Sequence, residues 1–197
     1  MKKVTLLAGL IMLYAVAAAA QGITLPRESQ RQEIAQTVGD TKISIIYHRP
    51  NVRTRTIWGG LVPYGEVWRA GANEATLFEF SNDVTINGSE LKAGKYSFHV
   101  IPTAKDWTLI FNNDEGQWGS FSYDAKQDAV RTTVQPKKVD HVEALTYSFD
   151  DPKPDAVTVT LRWENLAVPF TVGIGDLHGR MLTQIRNELA SKTGAER

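Results

Sequence analysis

Val157-Thr158-Val159-Thr160-Leu161-Arg162-Trp163 decides the fold class. In an extended chain Val157, Val159, Leu161 and Trp163 fall on one side. Thr158, Thr160 and Arg162 fall on the other, and Glu164 continues the polar row. This period of two belongs to a strand with one buried and one polar face. A helix would instead repeat its apolar residues three and four apart.

The same period spreads outward from that stretch. Leu145, Tyr147 and Phe149 alternate with Thr146, Ser148 and Asp150. Tyr96, Phe98 and Val100 alternate with Ser97, His99 and Ile101, and Trp107, Leu109 and Phe111 with Thr108, Ile110 and Asn112. Thr76–Phe80, Val84–Ile86, Ala129–Val134 and Val168–Val172 read as further strands. Asn87-Gly88 is a hairpin dipeptide, because both central residues of a type I′ turn need positive φ. Ala93-Gly94, the run Asn112 to Gly116, and Asp150-Asp151-Pro152-Lys153-Pro154 mark other turns. Short strands, short loops and one solvated face predict antiparallel sheets in an all-β, two-sheet sandwich or jelly-roll-like fold.

Two flanking segments differ. Residues 21–40 are polar, with Arg27, Glu28, Arg31 and Glu33, and read as an N-terminal tail or a first edge strand. In 174–197 the spacing of Leu177, Met181, Leu182, Ile185 and Leu189 predicts one amphipathic helix, with Asp176 as its N-cap. Its apolar stripe is expected to pack on the sandwich end, with partner docking as the alternative. The sandwich itself is assigned to 41–173.

Residues 1–20 read as a secretory signal peptide. Lys2 and Lys3 precede an apolar run from Val4 to Ala20 that ends in four small alanines. The run is short for a bilayer span, and no basic stop-transfer cluster follows it. The expected location is periplasmic or extracellular, with no membrane association once the peptide is cleaved.

Composition removes several functions. The 197 residues carry 22 basic and 22 acidic side chains, four histidines and no cysteine. A balanced charge argues against a nucleic-acid partner, which would demand a basic surplus. Without cysteine there are no disulfides, thiolate metal sites or cysteine nucleophiles. The histidines His48, His99, His141 and His178 show no metal-binding spacing, so no metal and no cofactor is expected. His99 reads as a solvated or partly buried strand residue. No G-x-S-x-G elbow occurs, and Gly119-Ser120 reads as a turn.

Residues 47–76 form a long connection with little periodicity, and long loops in compact domains are often functional. They hold Arg49, Arg53, Arg55, Arg69, Trp58, Trp68, Tyr64, His48, Asn73 and Glu74. Arginine forks bind carboxylate or phosphate, and flat aromatic rings stack on sugars. Arg53, Trp58, Tyr64, Trp68, Arg69, Asn73 and Glu74 are therefore candidate ligand-binding residues for a glycan or small anionic ligand. His48 with Glu74, oriented by Arg69, is the candidate acid–base set for an enzyme. A third reading makes the motif scaffold. Arg69 would then pair with Glu74 or Glu66, the tryptophans would cap the core, and Asn73 would bond the loop backbone.

The stretch from Ile57 to Thr76, which includes Trp68-Arg69-Ala70-Gly71-Ala72-Asn73-Glu74-Ala75-Thr76, closely resembles the signature of the DUF2911 family. Leu91–Phe98, Ile101-Pro102 and Trp107–Asn112 resemble it too, and the likeness covers roughly residues 30–172. The resemblance implies a compact, exported bacterial domain and points at Trp68–Thr76. It implies no substrate, and the helix after Gly175 lies beyond it.

Overall fold

A computed structural model of the chain describes residues 26–195. The expected signal peptide, residues 1–20, lies outside them. Among these residues ten strands form two antiparallel sheets. The larger sheet runs in the order β1 (Gln30–Val38), β2 (Thr41–Arg49), β3 (Thr76–Phe80), β6 (Gly94–Ile101), β7 (Trp107–Asn112) and β8 (Asp128–Val134). The smaller sheet runs in the order β5 (Ser89–Leu91), β4 (Val84–Ile86), β10 (Ala156–Gly173) and β9 (Lys137–Asp150).

The alternation in the sequence builds the core directly. Ile43, Ile45, Tyr47, Phe78, Phe80, Phe98, Val100, Leu109 and Phe111 point inward from the larger sheet. Leu145, Tyr147, Val157, Val159, Leu161, Trp163, Phe170 and Val172 meet them from the smaller one. The result is a β-sandwich. Asn87 and Gly88 both take positive φ, 49° and 88°, and close the hairpin in which Ile86 pairs with Ser89.

Some boundaries move. Val157–Trp163 and Val168–Val172 belong to one bent strand, β10, whose register against β9 shifts on either side of Glu164. Glu164 sits at φ 54°, so the bend keeps the chain in the sheet where two separate strands were expected. Within 21–40, Gln30–Val38 form an edge strand: β1 pairs with β2 from Gln30↔Arg49 to Val38↔Thr41. The sandwich therefore begins before residue 41. His99 is fully buried, beyond the solvated or partly buried place expected of it, because the segment after β7 folds back over the outer surface of β6.

The C-terminal helix α1 (Leu177–Ala195) forms, and Asp176 caps it by accepting from the Gly179 amide at 2.9 Å. The expected packing of its stripe does not occur. Leu177 packs against the core, while Met181, Leu182, Ile185 and Leu189 stay exposed. The helix leaves the sandwich after its first turn and is tied there by the Arg180 guanidinium on Asp40, 2.7 and 2.8 Å. Asp40→Ala is expected to raise proteolysis at Arg180 and Arg186 while moving sandwich stability by less than about 1 kcal/mol, the scale of an exposed ion pair. Limited digestion beside a urea melt reads both. Among the described residues no helix is long and apolar enough to cross a membrane.

Candidate functional site

Between β2 and β3 the chain makes no regular strand, yet four isolated bridges fix it: Asn51↔Ala144, Trp58↔Val62, Trp68↔Val100 and Glu74↔Trp118. The core reaches out to it as well. The Tyr147 and Thr76 hydroxyls both donate to the Ala70 carbonyl, at 2.9 and 3.0 Å. Ala70 and Asn73 adopt positive φ, 52° and 58°. Such backbone persists only where the surroundings hold it. Gly71 fills a narrow slot, since a Cβ there would lie 2.9 Å from Thr76 Oγ1 and 3.2 Å from the His48 carbonyl oxygen. Gly71→Ala is expected to cost about 2 kcal/mol through this overpacking, read as a lower urea midpoint at constant m. A change below about 0.5 kcal/mol would show that the slot yields.

This rigid turn separates two clefts. The first holds about 220 Å³ and is lined by Ser29, Asn51, Arg53, Arg55, Trp68, Arg69 and Trp163, among others. Arg69 is half-buried, and its Nε is sealed from solvent with no acceptor. Burial lowers its pKa and no carboxylate opposes the shift. Trp163, a second wall residue, also carries a buried N–H without an acceptor. The other two arginines are partly occupied. Arg53 approaches Glu28 at 3.5 Å, and Arg55 donates to the carbonyls of Val52 and Asn51.

The second cleft, about 780 Å³, holds His48 and Glu74 together with Arg27, Arg31, Leu77 and Lys95. Arg27 Nη1 bonds both oxygens of Glu74, at 2.7 and 2.5 Å. That hydrogen bond, more than any other contact, lowers the Glu74 pKa. His48 Nε2 lies 3.5 Å from Glu74 Oε2. Burial lowers the His48 pKa, and Glu74 only partly opposes this.

The candidates from sequence are thus divided. Arg53, Trp68 and Arg69 share the first cleft; His48 and Glu74 share the second. The ion pair of Arg69 with Glu74 or Glu66 does not form among the described residues, because Glu74 faces the other way and is taken by Arg27. Arg69 therefore does not orient His48 and Glu74 by contact. Asn73 leaves the pocket reading too: its Nδ2 donates to the Ser29 carbonyl at 3.3 Å and ties down the segment before β1. Trp58 packs edge-on against Trp107, centroids 4.7 Å apart, and belongs to the core boundary. Tyr64 lies against Gly59, where a Cβ would come within 2.9 Å of its ring, and lines neither cleft. Ser29, Asn51, Arg55 and Trp163 were not singled out. Arg55 belongs to the same arginine-rich run. Trp163 carried a core signal, and nothing in the polar segment marked Ser29.

No curated protein and no solved structure matches this chain. The family comparison does find a match, over residues 29–172, and that span contains the whole connection between β2 and β3 with its Trp68–Thr76 turn. The chain belongs to the family described as Protein of unknown function (DUF2911).

Proposed function

We propose that the protein is an exported binding module for a small ligand bearing a carboxylate or phosphate, a sugar acid or sugar phosphate in size. The observation that carries this reading is the Arg69 guanidinium, half-buried at a cleft and without a counter-ion among the described residues. A desolvated cation without a partner costs stability, and an entering anion offsets that cost. Charge-assisted hydrogen bonds contribute about 1.5–3 kcal/mol each, enough for affinities between about 10 µM and 1 mM. The size of the cavity, about 220 Å³, sits below the usual range for drug-sized ligands and fits one anionic group with part of a ring. Trp68 and Trp163 line it. Export rests on the Lys2-Lys3 head and the apolar run to Ala20.

Calorimetric titration with inorganic phosphate, glucuronate and glucose tests the reading. Phosphate and glucuronate are expected to bind, with glucose silent. Arg69→Met is expected to weaken binding about 100-fold while leaving the unliganded protein at least as stable, since it removes an unpaired buried charge. The scaffold reading predicts the opposite sign, a loss of stability. No binding of either anion up to about 50 mM, a concentration that would reveal any millimolar site, overturns the proposal.

A further inference from the structure

Away from both clefts, the outer face of the larger sheet carries a serine–histidine pair. His99 projects from β6 and is fully buried. Its Nδ1 lies 3.2 Å from the Ser120 hydroxyl and its Nε2 lies 3.1 Å from the Ser97 hydroxyl. Ser97 is also fully buried and donates to the Asn112 carbonyl oxygen at 3.5 Å. In the tautomer protonated at Nε2, Ser97 accepts from Nε2–H. That tautomer turns the Nδ1 lone pair toward Ser120, which then donates to it. A neutral imidazole accepting from a serine hydroxyl is the arrangement that takes the proton when that oxygen attacks.

Ser120 is the half-exposed end of this chain. Its segment is rigidly held against the Trp68–Thr76 turn: the Ala75 amide donates to the Gln117 carbonyl at 3.0 Å, and the Gly119 amide to the Asn73 carbonyl at 3.2 Å. Gly119 sits at φ +76° with the Phe121 ring against it. The amides of Ser120 and Phe121 donate to no acceptor among the described residues. Trp118 and Phe121 flank Ser120, 60% and 85% exposed, with stacked rings 6.0 Å apart at 19°. A polar clip that only closed the sheet surface would leave no reason for two large aromatic rings in water beside it.

We infer that Ser120 and His99 are a nucleophile and general base for acyl transfer from esters, with Trp118 and Phe121 as the surface that receives the apolar part of the substrate. Ser120 Oγ attacks the ester carbonyl carbon while its proton passes to His99 Nδ1. The bond to the alcohol oxygen then breaks, and the alcohol leaves with that proton. Water attacks the acyl-serine and gives a proton to Nδ1. The acid leaves, and Ser120 regains the proton. Ser97 is a positioning residue, holding the ring through Nε2. The ring has no carboxylate hydrogen-bonded to it, since Asp128 accepts instead from Asn112, Tyr123 and Arg131. Asp114 and the Tyr123 ring complete its charged and titratable surroundings. Without a carboxylate to stabilise the imidazolium, the pair suits activated esters with good leaving groups. This site is independent of the Arg69 cleft.

The test is reaction of the purified protein with a fluorophosphonate probe, followed by peptide mass mapping, together with p-nitrophenyl butyrate hydrolysis. One adduct is expected, on Ser120. Ser120→Ala abolishes it, and His99→Gln slows both labelling and hydrolysis by about 100-fold or more. Phe121→Ala, at a site too exposed to unfold the chain, is expected to raise KM for the ester with kcat unchanged. An unlabelled Ser120 in the folded protein overturns the inference. So does labelling that His99→Gln leaves at the wild-type rate.

Discussion

Trp163→Ala is expected to destabilise the protein by about 3–5 kcal/mol, the range for deleting a large buried aromatic ring. Trp163 is about 1% exposed. It stacks on Trp68 with centroids 5.6 Å apart and 20° between planes, and meets Trp58 edge-on at 5.7 Å. Trp58 in turn contacts Trp107. These four rings join β10, β7 and the connection between β2 and β3, so the cavity left by Trp163 cannot be closed by moving one flexible side chain. The same ring is a wall of the Arg69 cleft. Anion binding should fall together with stability, whereas Arg69→Met should remove binding alone. Urea unfolding gives the first quantity and calorimetry the second. A cost below about 1 kcal/mol would mean that the tryptophans do not act as one packed unit.

The sandwich was legible because burial on one face of a strand writes itself into every second residue. Val157–Trp163 shows it, and Val157, Val159, Leu161 and Trp163 are all buried. The continuity of β10 was not legible. A residue at positive φ such as Glu164 bends a strand without the Gly or Pro that usually announces a break. His99 was misplaced for a related reason. Alternation says which face a residue occupies, but not whether a later loop covers that face. The candidate site was legible as a region and not as a constellation. Trp68-Arg69 and Glu74 are near in sequence, yet the turn between them sends them to different clefts. The Ser120–His99 pair joins positions 21 residues apart across a loop. No local spacing rule could reveal it.

The second large effect is a loss of stability in mild acid that traces to His99. Burial lowers its pKa from 6.5 to about 4, although Asp128 and Asp114 pull the other way. An unfolded chain takes up a proton at this imidazole below pH 6.5, and the fold refuses it until about pH 4. Stability from this group is therefore complete above pH 6.5 and is lost on acidification through that window. The slope is about 1.4 kcal/mol per pH unit, or about 3 kcal/mol in all. His48, also lowered by burial, adds a loss of the same sign. Asp40 acts later: its pKa is lowered to about 2 by Arg180, so its contribution fades only below 3.8. His99→Gln keeps an uncharged amide between Ser97 and Ser120 and removes the titration. Its urea-derived stability should approach that of the wild type as pH falls from 7 to 4.5. Parallel curves for the two proteins would mean that the ring is hydrated or already charged in the fold. A ring that stays neutral down to about pH 4 also keeps one nitrogen unprotonated at every pH above it. The burial that weakens the fold in acid thus also keeps this imidazole uncharged, as the role proposed for His99 requires.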